Sequence, residues 1–288
     1  MNYRHVYHAG NICDVAKHSV LCLLLRRLTA KEAAFCVVDT HAGIGLYDLD
    51  DEKAKKTGEA DEGIRKLFAA AEMPDVAELC GAYLALCRSF NPSMEADGVL
   101  RHYPGSPSIA RAFLRPQDRL VLCELHDEDV PLLRRCFRGD KQVHIHHRDG
   151  YEALRGLLPP PEKRGLVFID PPFEKRNEFE TLVDTCRAIA QRWANATVAI
   201  WYPIKDRAAI WAFHESLIAL GVPKIFCAEF LFEEEIRADR LNGSGFVFLN
   251  PPWKLDAELA ALFPALHRAL DCGAPDKRVD RQTLRWLS

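Results

Sequence analysis

A chain of 288 residues is long enough for one large α/β domain with an insertion, or for two small domains. Its 48% apolar and 27% charged residues are ordinary for a globular protein. A formal net charge of −3 argues against a nucleic-acid coat protein but leaves room for a local basic face.

No run approaches the roughly 18 apolar residues of a membrane span. The opening MNYRHVYHAGN lacks the basic end and apolar core of a signal peptide, so a cytoplasmic protein is expected. The ten cysteines form no CxxC pair and mostly sit among apolar neighbours. They are expected to be reduced thiols packed as small hydrophobes, with no zinc site. Basic stretches occur at 4–17, at Arg26-Arg27 and at Arg134-Arg135 with Arg138, the last two reading as solvated helix surface.

In chain order, DVAKHSVLCLLLRRL (14–28) predicts a helix capped by Asp14, with arginines in its last turn. FCVVD (35–39) is a buried strand opening into the glycine turn THAGIG. From 46 to 116, charged segments alternate with helical patterns such as IRKLFAAAE and VAELCGAYLALCRSF, which predicts a mainly helical insertion without a strong strand. Six strands follow: LVLCE (120–124), VHIHH (143–147), LVFID (166–170), VAIWY (198–202), 225–231 and GFVFL (245–249). Helices are predicted at about 128–137, 151–158, 179–193, 208–220 and 256–270. This alternation predicts a doubly wound, mostly parallel seven-stranded sheet built from 1–45 and 117–288, with its ligand at the carboxyl ends of the strands. The tail after Cys272 is polar and expected to be peripheral.

The turn Asp39-Thr-His-Ala-Gly-Ile-Gly45 lets a ligand approach the backbone, because Gly43 and Gly45 lack Cβ. It is neither GxGxxG nor a P-loop, which disfavours pyrophosphate and suits a cofactor without phosphates, such as S-adenosyl-L-methionine. A tight strand-to-helix connection would look the same. Glu124 ends the next strand, where an acid can accept both ribose hydroxyls of an adenosyl group. Asp149-Gly150 follows the strand after that, placing a carboxylate beside a flexible backbone suited to an adenine amino edge, or merely a turn.

Two segments, FIDPPF (168–173) and FLNPPW (248–253), share an apolar run, an acid or amide, two prolines and an aromatic. Adenine N6 is a poor nucleophile because its lone pair is delocalised. Two acceptors facing its hydrogens favour the geometry that frees that pair. The Asp170 carboxylate and the Pro171 carbonyl supply them, the prolines stiffen the turn, and Phe173 offers a stacking face. Asp170 can also take the surplus proton. Asn250 has the same chemistry, but an antiparallel last strand would put it at the opposite edge of the sheet. Asp170 is therefore the expected catalytic residue.

With these residues assembled, the chain resembles the bacterial 23S ribosomal RNA adenine-N6 methyltransferases of the RlmJ type over nearly its whole length. The blocks are YRHVYHAGN, DVAKH, DTHAGIG, KKTGE, LRHYPGSP, LVLCE, RDG, LVFIDPPF, WYP and NPPWKL. One departure is Phe173, where tyrosine is common; stacking survives and a hydroxyl contact is lost. The resemblance implies a class I S-adenosyl-L-methionine-dependent methyltransferase with a helical insertion after the first strand. It implies donor contacts from His18, His41, Ser106, Glu124, Asp149, Gly150 and Asp170, and a substrate-RNA contact from Tyr3. Lys17 would face cofactor or substrate without a catalytic role. A monomer is expected.

Each residue also has a plainer reading. His18 and His41 would ordinarily be structural hydrogen-bonding residues, and Ser106 a helix cap. The HIHH run alternates faces on a strand, so it is read as structural rather than as a metal cluster, and methyl transfer from a sulfonium needs no metal. The leading expectation is an enzyme that flips one adenine of 23S ribosomal RNA, aided by a flexible N-terminal reader formed by Tyr3, Arg4, His5, Tyr7 and His8. A DNA adenine-N6 methyltransferase is the near alternative, since DPPF occurs there too. A nucleic-acid-binding protein on a vestigial methyltransferase scaffold is the competing class; the intact acids weigh against it.

Overall fold

The computed structural model describes residues 4–233, 237, 240–272 and 282–288. Ten strands run in chain order: β1 Cys36–Asp39, β2 Leu46–Asp48, β3 His102–Pro104, β4 Arg119–Glu124, β5 Val143–His147, β6 Gly165–Ile169, β7 Ala196–Ile204, β8 Ile225–Leu231, β9 Gly243–Leu249 and β10 Gln282–Trp286. Eight of them form one sheet in the order β10-β8-β9-β7-β6-β1-β4-β5. The five strands from β7 to β5 are mutually parallel, while β9 lies antiparallel between β7 and β8. The central strands are buried and β-branched, as parallel strands covered on both faces must be.

The sequence suggested seven strands and a peripheral tail. The eighth, β10, adds antiparallel to β8, pairing Trp286 with Phe226, so the end of the chain completes the sheet edge. Between β1 and β4 the chain forms helices, notably Pro74–Ser89, but also pairs β2 with β3 in a small antiparallel ribbon. Three-residue strands are too short to show an alternating pattern, which is why a mainly helical segment was expected.

Apolar clusters cover both sheet faces. One face carries the helix Ile12–Thr29, in which 14 of 18 residues are buried. Being hydrophobic nearly all round, it is wedged between the sheet and the helices that follow β1. Its N-cap is Asn11, whose side chain accepts the Asp14 N–H at 2.8 Å; Asp14, expected as the cap, stands inside the first turn and is buried. The strand order reverses at β1, between β6 and β4. That is the switch point where a doubly wound sheet opens a crevice at its carboxyl edge.

Candidate active site

Because β1, β4, β5 and β6 are parallel, the residues just beyond their carboxyl ends share one rim. A cleft of about 630 Å³ opens there. Its lining includes His18, His41, Gly43, Ser106, Glu124, Asp149, Gly150, Asp170, Pro171 and Phe173. Tyr3 lies outside the described residues. Asn250 is elsewhere: its Nδ2 donates to the carbonyls of Asn195 and Ala196 at 3.3 and 3.4 Å, where β7 begins. The second proline pair thus stands on the amino edge, across the sheet from the cleft, because β9 runs antiparallel to β7.

The glycine turn is shaped by its own backbone. Gly43 and Gly45 have φ of 63° and 83°, in the left-handed region that glycine enters without a Cβ penalty. The Gly43 N–H donates to Glu124 Oε2 at 2.7 Å, and the His126 N–H donates to Oε1 at 2.7 Å. One backbone donor per oxygen leaves lone pairs on the Glu124 carboxylate, which lines the cleft and is only 5% exposed. Burial raises the pKa of Glu124. Asp149 caps the helix Gly150–Leu157, accepting the Tyr151 and Glu152 N–H groups on Oδ1, while Oδ2 lies 3.9 Å from Lys175 Nζ. Gly150 is required by close approach, since a Cβ there would strike the Thr40 carbonyl.

The helix Ile12–Thr29 presents Asp14, Lys17 and His18 along one side, as i, i+3 and i+4 spacing dictates. Lys17 Nζ is 2.9 Å from Asp14 Oδ1 and donates to Asp170 Oδ2 at 2.5 Å. It also sits 5.5 Å from the Trp201 ring centroid. Asp14 further accepts His5 Nε2 at 2.9 Å and the Gly10 N–H at 2.9 Å. Although burial opposes ionisation, the charges of His5 and Lys17 hold the Asp14 carboxyl well below the usual range.

Asp170-Pro171-Pro172 leads directly from β6 into Phe173, whose φ of 51° is costly for a residue with a Cβ. Phe173 is held by edge-on packing against Phe179 and Trp201, at centroid separations of 5.2 and 6.0 Å. The prolines remove two N–H groups from the rim beside Asp170.

Both histidines are neutral at pH 7, because burial pushes His18 down to about 3 and His41 to about 4. His18 Nδ1 is 2.6 Å from the Tyr103 hydroxyl. His41 Nδ1 is 2.8 Å from Thr40 Oγ1, whose own proton goes to the Phe168 carbonyl at 3.1 Å. Ser106 is the first residue of its helix, not the cap, and donates to Asp39 Oδ2 at 2.7 Å. Asp39 also accepts the His41 N–H at 3.2 Å, and its burial raises its pKa to about 7.

Sequence reasoning did not single out Tyr151, Trp201 or Lys175, which come to the cleft only through packing. Asp39, the acid that opens the glycine-turn motif, is buried behind the cleft, where it braces Ser106 and His41. The N-terminal residues also differ from a flexible reader. Arg4 pairs with Glu128 and Asp129, His5 with Asp14, and His8 with Glu59 at 2.9 Å, so residues 4–8 are docked beside the glycine turn by carboxylates on three other elements. In β5 the HIHH side chains are exposed or half-buried on an edge strand. Among the described residues, His214, Cys227 and Glu229 bring metal-ligand atoms within 4.8 Å of one another. They are already bonded through the Tyr202 hydroxyl, and Arg207 neutralises Glu229.

A reversed strand order, a glycine turn after β1, acids at successive strand ends and an antiparallel β9 define a class I methyltransferase. The chain belongs to the family described as Ribosomal RNA large subunit methyltransferase D, RlmJ, whose model matches residues 32–286. It is 40% identical over 270 residues to the ribosomal RNA large subunit methyltransferase J of Escherichia coli (strain K12), covering 94% of each chain. It is 38% identical over 271 residues to that of Haemophilus influenzae, again covering 94% of each. Among solved structures, it is similar to protein LPL1258 from Legionella pneumophila, with a TM-score of 0.83 and 30% identity over 97% of each chain. The chain is a ribosomal RNA methyltransferase. No helix among the described residues is long and apolar enough to cross a membrane.

Proposed function

We propose that this enzyme transfers a methyl group from S-adenosyl-L-methionine to N6 of an adenine in 23S ribosomal RNA. One observation carries the reading: Asp170-Pro171-Pro172-Phe173 lines the same cleft as Gly43 of the glycine turn and Glu124, whereas Asn250 is bonded to the opposite edge.

The residues fit the cofactor by the chemistry of their donors and acceptors. Glu124 keeps unused lone pairs at the distance of one strand from the glycine turn, the disposition a ribose diol needs. Asp149 and Gly150 stand at the next strand, suited to an adenine edge. When bound, the cofactor supplies an electrophilic methyl on a sulfonium, and no other reagent is required.

The protein's part is to grip and orient the base. Asp170 lines the cleft with a carboxylate whose Oδ2 is held by Lys17, which leaves Oδ1 as the oxygen to accept from the incoming amine. Asp170 and the Pro171 carbonyl take the two N6 hydrogens, which frees the nitrogen lone pair, and Phe173 stacks on the ring. After transfer Asp170 receives the surplus proton. Preorganised acceptors and positioning account for the acceleration. Residues 46–116 act as an insertion subdomain on this scaffold.

The test is radiolabelled methyl transfer to unmodified 23S RNA, followed by digestion to nucleosides. The label is expected in N6-methyladenosine and absent with Asp170→Ala. Label in another nucleoside, or undiminished label in the variant, overturns the reading.

A further inference from the structure

We infer that Tyr103 and Tyr83 are positioning residues that hold His18 as an Nε2–H donor facing the carboxylate of the methyl donor. The inference rests on the cofactor reading above and extends it to residues between β1 and β4.

Three buried polar groups lie in a row. The Tyr83 hydroxyl, from the helix Pro74–Ser89, is 2.9 Å from the Tyr103 hydroxyl on β3, which is 2.6 Å from His18 Nδ1. Tyr83, Tyr103 and His18 are 1%, 0% and 2% exposed, so no bulk water competes. The rings are locked as well. His18 stacks on Tyr103 at 5.5 Å between centroids and meets Tyr83 edge-on at 6.4 Å.

Two protons must be shared along this row, and only one arrangement gives each a strong acceptor. With a bare Nδ1, Tyr83 donates to Tyr103 and Tyr103 donates to the imidazole nitrogen, a phenol-to-imidazole bond consistent with the short 2.6 Å separation. With a protonated Nδ1 the row reverses, and the Tyr83 proton is left pointing toward the thiol of Cys87, a weak acceptor. The buried ring is neutral and carries one proton. The first arrangement therefore puts that proton on Nε2, the ring nitrogen left to the cleft that His18 lines. An N–H donor there demands an acceptor from the ligand. Glu124, at the ribose end, is itself an acceptor, so the donor end suits the amino-acid carboxylate of the cofactor.

The experiment uses the full chain and two probes, S-adenosylhomocysteine and 5′-methylthioadenosine, which lacks the amino-acid portion. By calorimetry, Tyr103→Phe is expected to weaken S-adenosylhomocysteine about tenfold while methylthioadenosine stays within about twofold. In a His18→Gln background, whose amide donates without needing the relay, Tyr103→Phe is expected to add less than about twofold. Nitrogen-15 spectra of the wild-type protein are expected to show His18 protonated on Nε2. Equal weakening of both probes, or a His18 proton on Nδ1, overturns the relay. A wild-type protein that binds neither probe instead overturns the cofactor reading, and the spectra still decide the tautomer. Should Tyr103→Phe lower the melting temperature too far, Tyr83→Phe is expected to show the same selectivity at about threefold.

Discussion

Lys17 and Asp170, 153 residues apart in the chain, meet at 2.5 Å. The ammonium is simultaneously 2.9 Å from Asp14, so one cation of 5% side-chain exposure serves two carboxylates. Removing it takes the cation from Asp170 and leaves the buried Asp14 with His5 alone. Lys17→Met is expected to lower stability by about 3 kcal/mol, read as a lower urea midpoint. Asp170→Asn in the same chain should restore part of that loss. An unchanged midpoint in Lys17→Met would show that the pair contributes as little as an exposed surface bridge.

Asp170 is placed to act on the base more than on the donor. Asp170→Ala is expected to reduce kcat for RNA methylation by about a thousandfold. Affinity for S-adenosylhomocysteine should change by less than about threefold, a split that separates a base-gripping acceptor from a donor contact. A large loss of donor affinity with little change in kcat would reverse the two roles.

Glu124 should behave the opposite way. Its Oε1 and Oε2 each accept one backbone N–H, and their remaining lone pairs face the cleft. Glu124→Gln keeps one acceptor oxygen and is expected to weaken S-adenosylhomocysteine by about tenfold to a hundredfold, with kcat at saturating donor within about threefold. Calorimetry together with initial rates checks this. Unaltered affinity would remove the ribose role.

Asp39 makes stability depend on pH in an unusual direction for a carboxylate. Burial raises its folded pKa from the ordinary 3.8 to about 7. The folded state therefore binds its proton more tightly than the unfolded chain. The stabilisation is complete below 3.8 and is lost as pH rises through 7. Asp39→Asn lacks this titration. The melting temperature of the wild type minus that of Asp39→Asn should fall steadily between about pH 4 and pH 8. A difference that stays flat, or climbs, would mean Asp39 ionises normally when folded.

Asn250 provides the control for the second proline pair. It has φ of 50°, and its side chain is bonded on the amino edge of the sheet. Asn250→Ala is expected to cost about 1 kcal/mol in thermal unfolding, through the left-handed backbone and the lost bonds. Its kcat should stay within about twofold of wild type, because the substitution is across the sheet from the cleft. A collapse of kcat in a folded Asn250→Ala protein would bring that motif back into the chemistry.

Much of this architecture is legible from local pattern. Runs such as FCVVD, LVLCE and LVFID are short, apolar and β-branched, and they alternate with amphipathic helices, so the parallel sheet and the strand-end acids Asp39, Glu124 and Asp170 follow from residue order alone. Parallel strands share one carboxyl edge, which is why residues so far apart in the chain, such as Glu124 and Asp170, meet at one cleft.

Other features have no local signature, because they depend on which surfaces pack together. Whether Asn250 or Asp170 faces the cleft turns on the direction of β9, a property of strand pairing and not of the NPPW letters. The contact of Lys17 with Asp170 requires the helix Ile12–Thr29 to be seated against the sheet at one height. The row from Tyr83 through Tyr103 to His18 joins two elements between β1 and β4 to that same helix. Side-chain periodicity reports how a segment partitions between water and core. It carries no information about which distant segment supplies the hydrogen-bond partner, and here those partners set the charge and proton positions on which the chemistry depends.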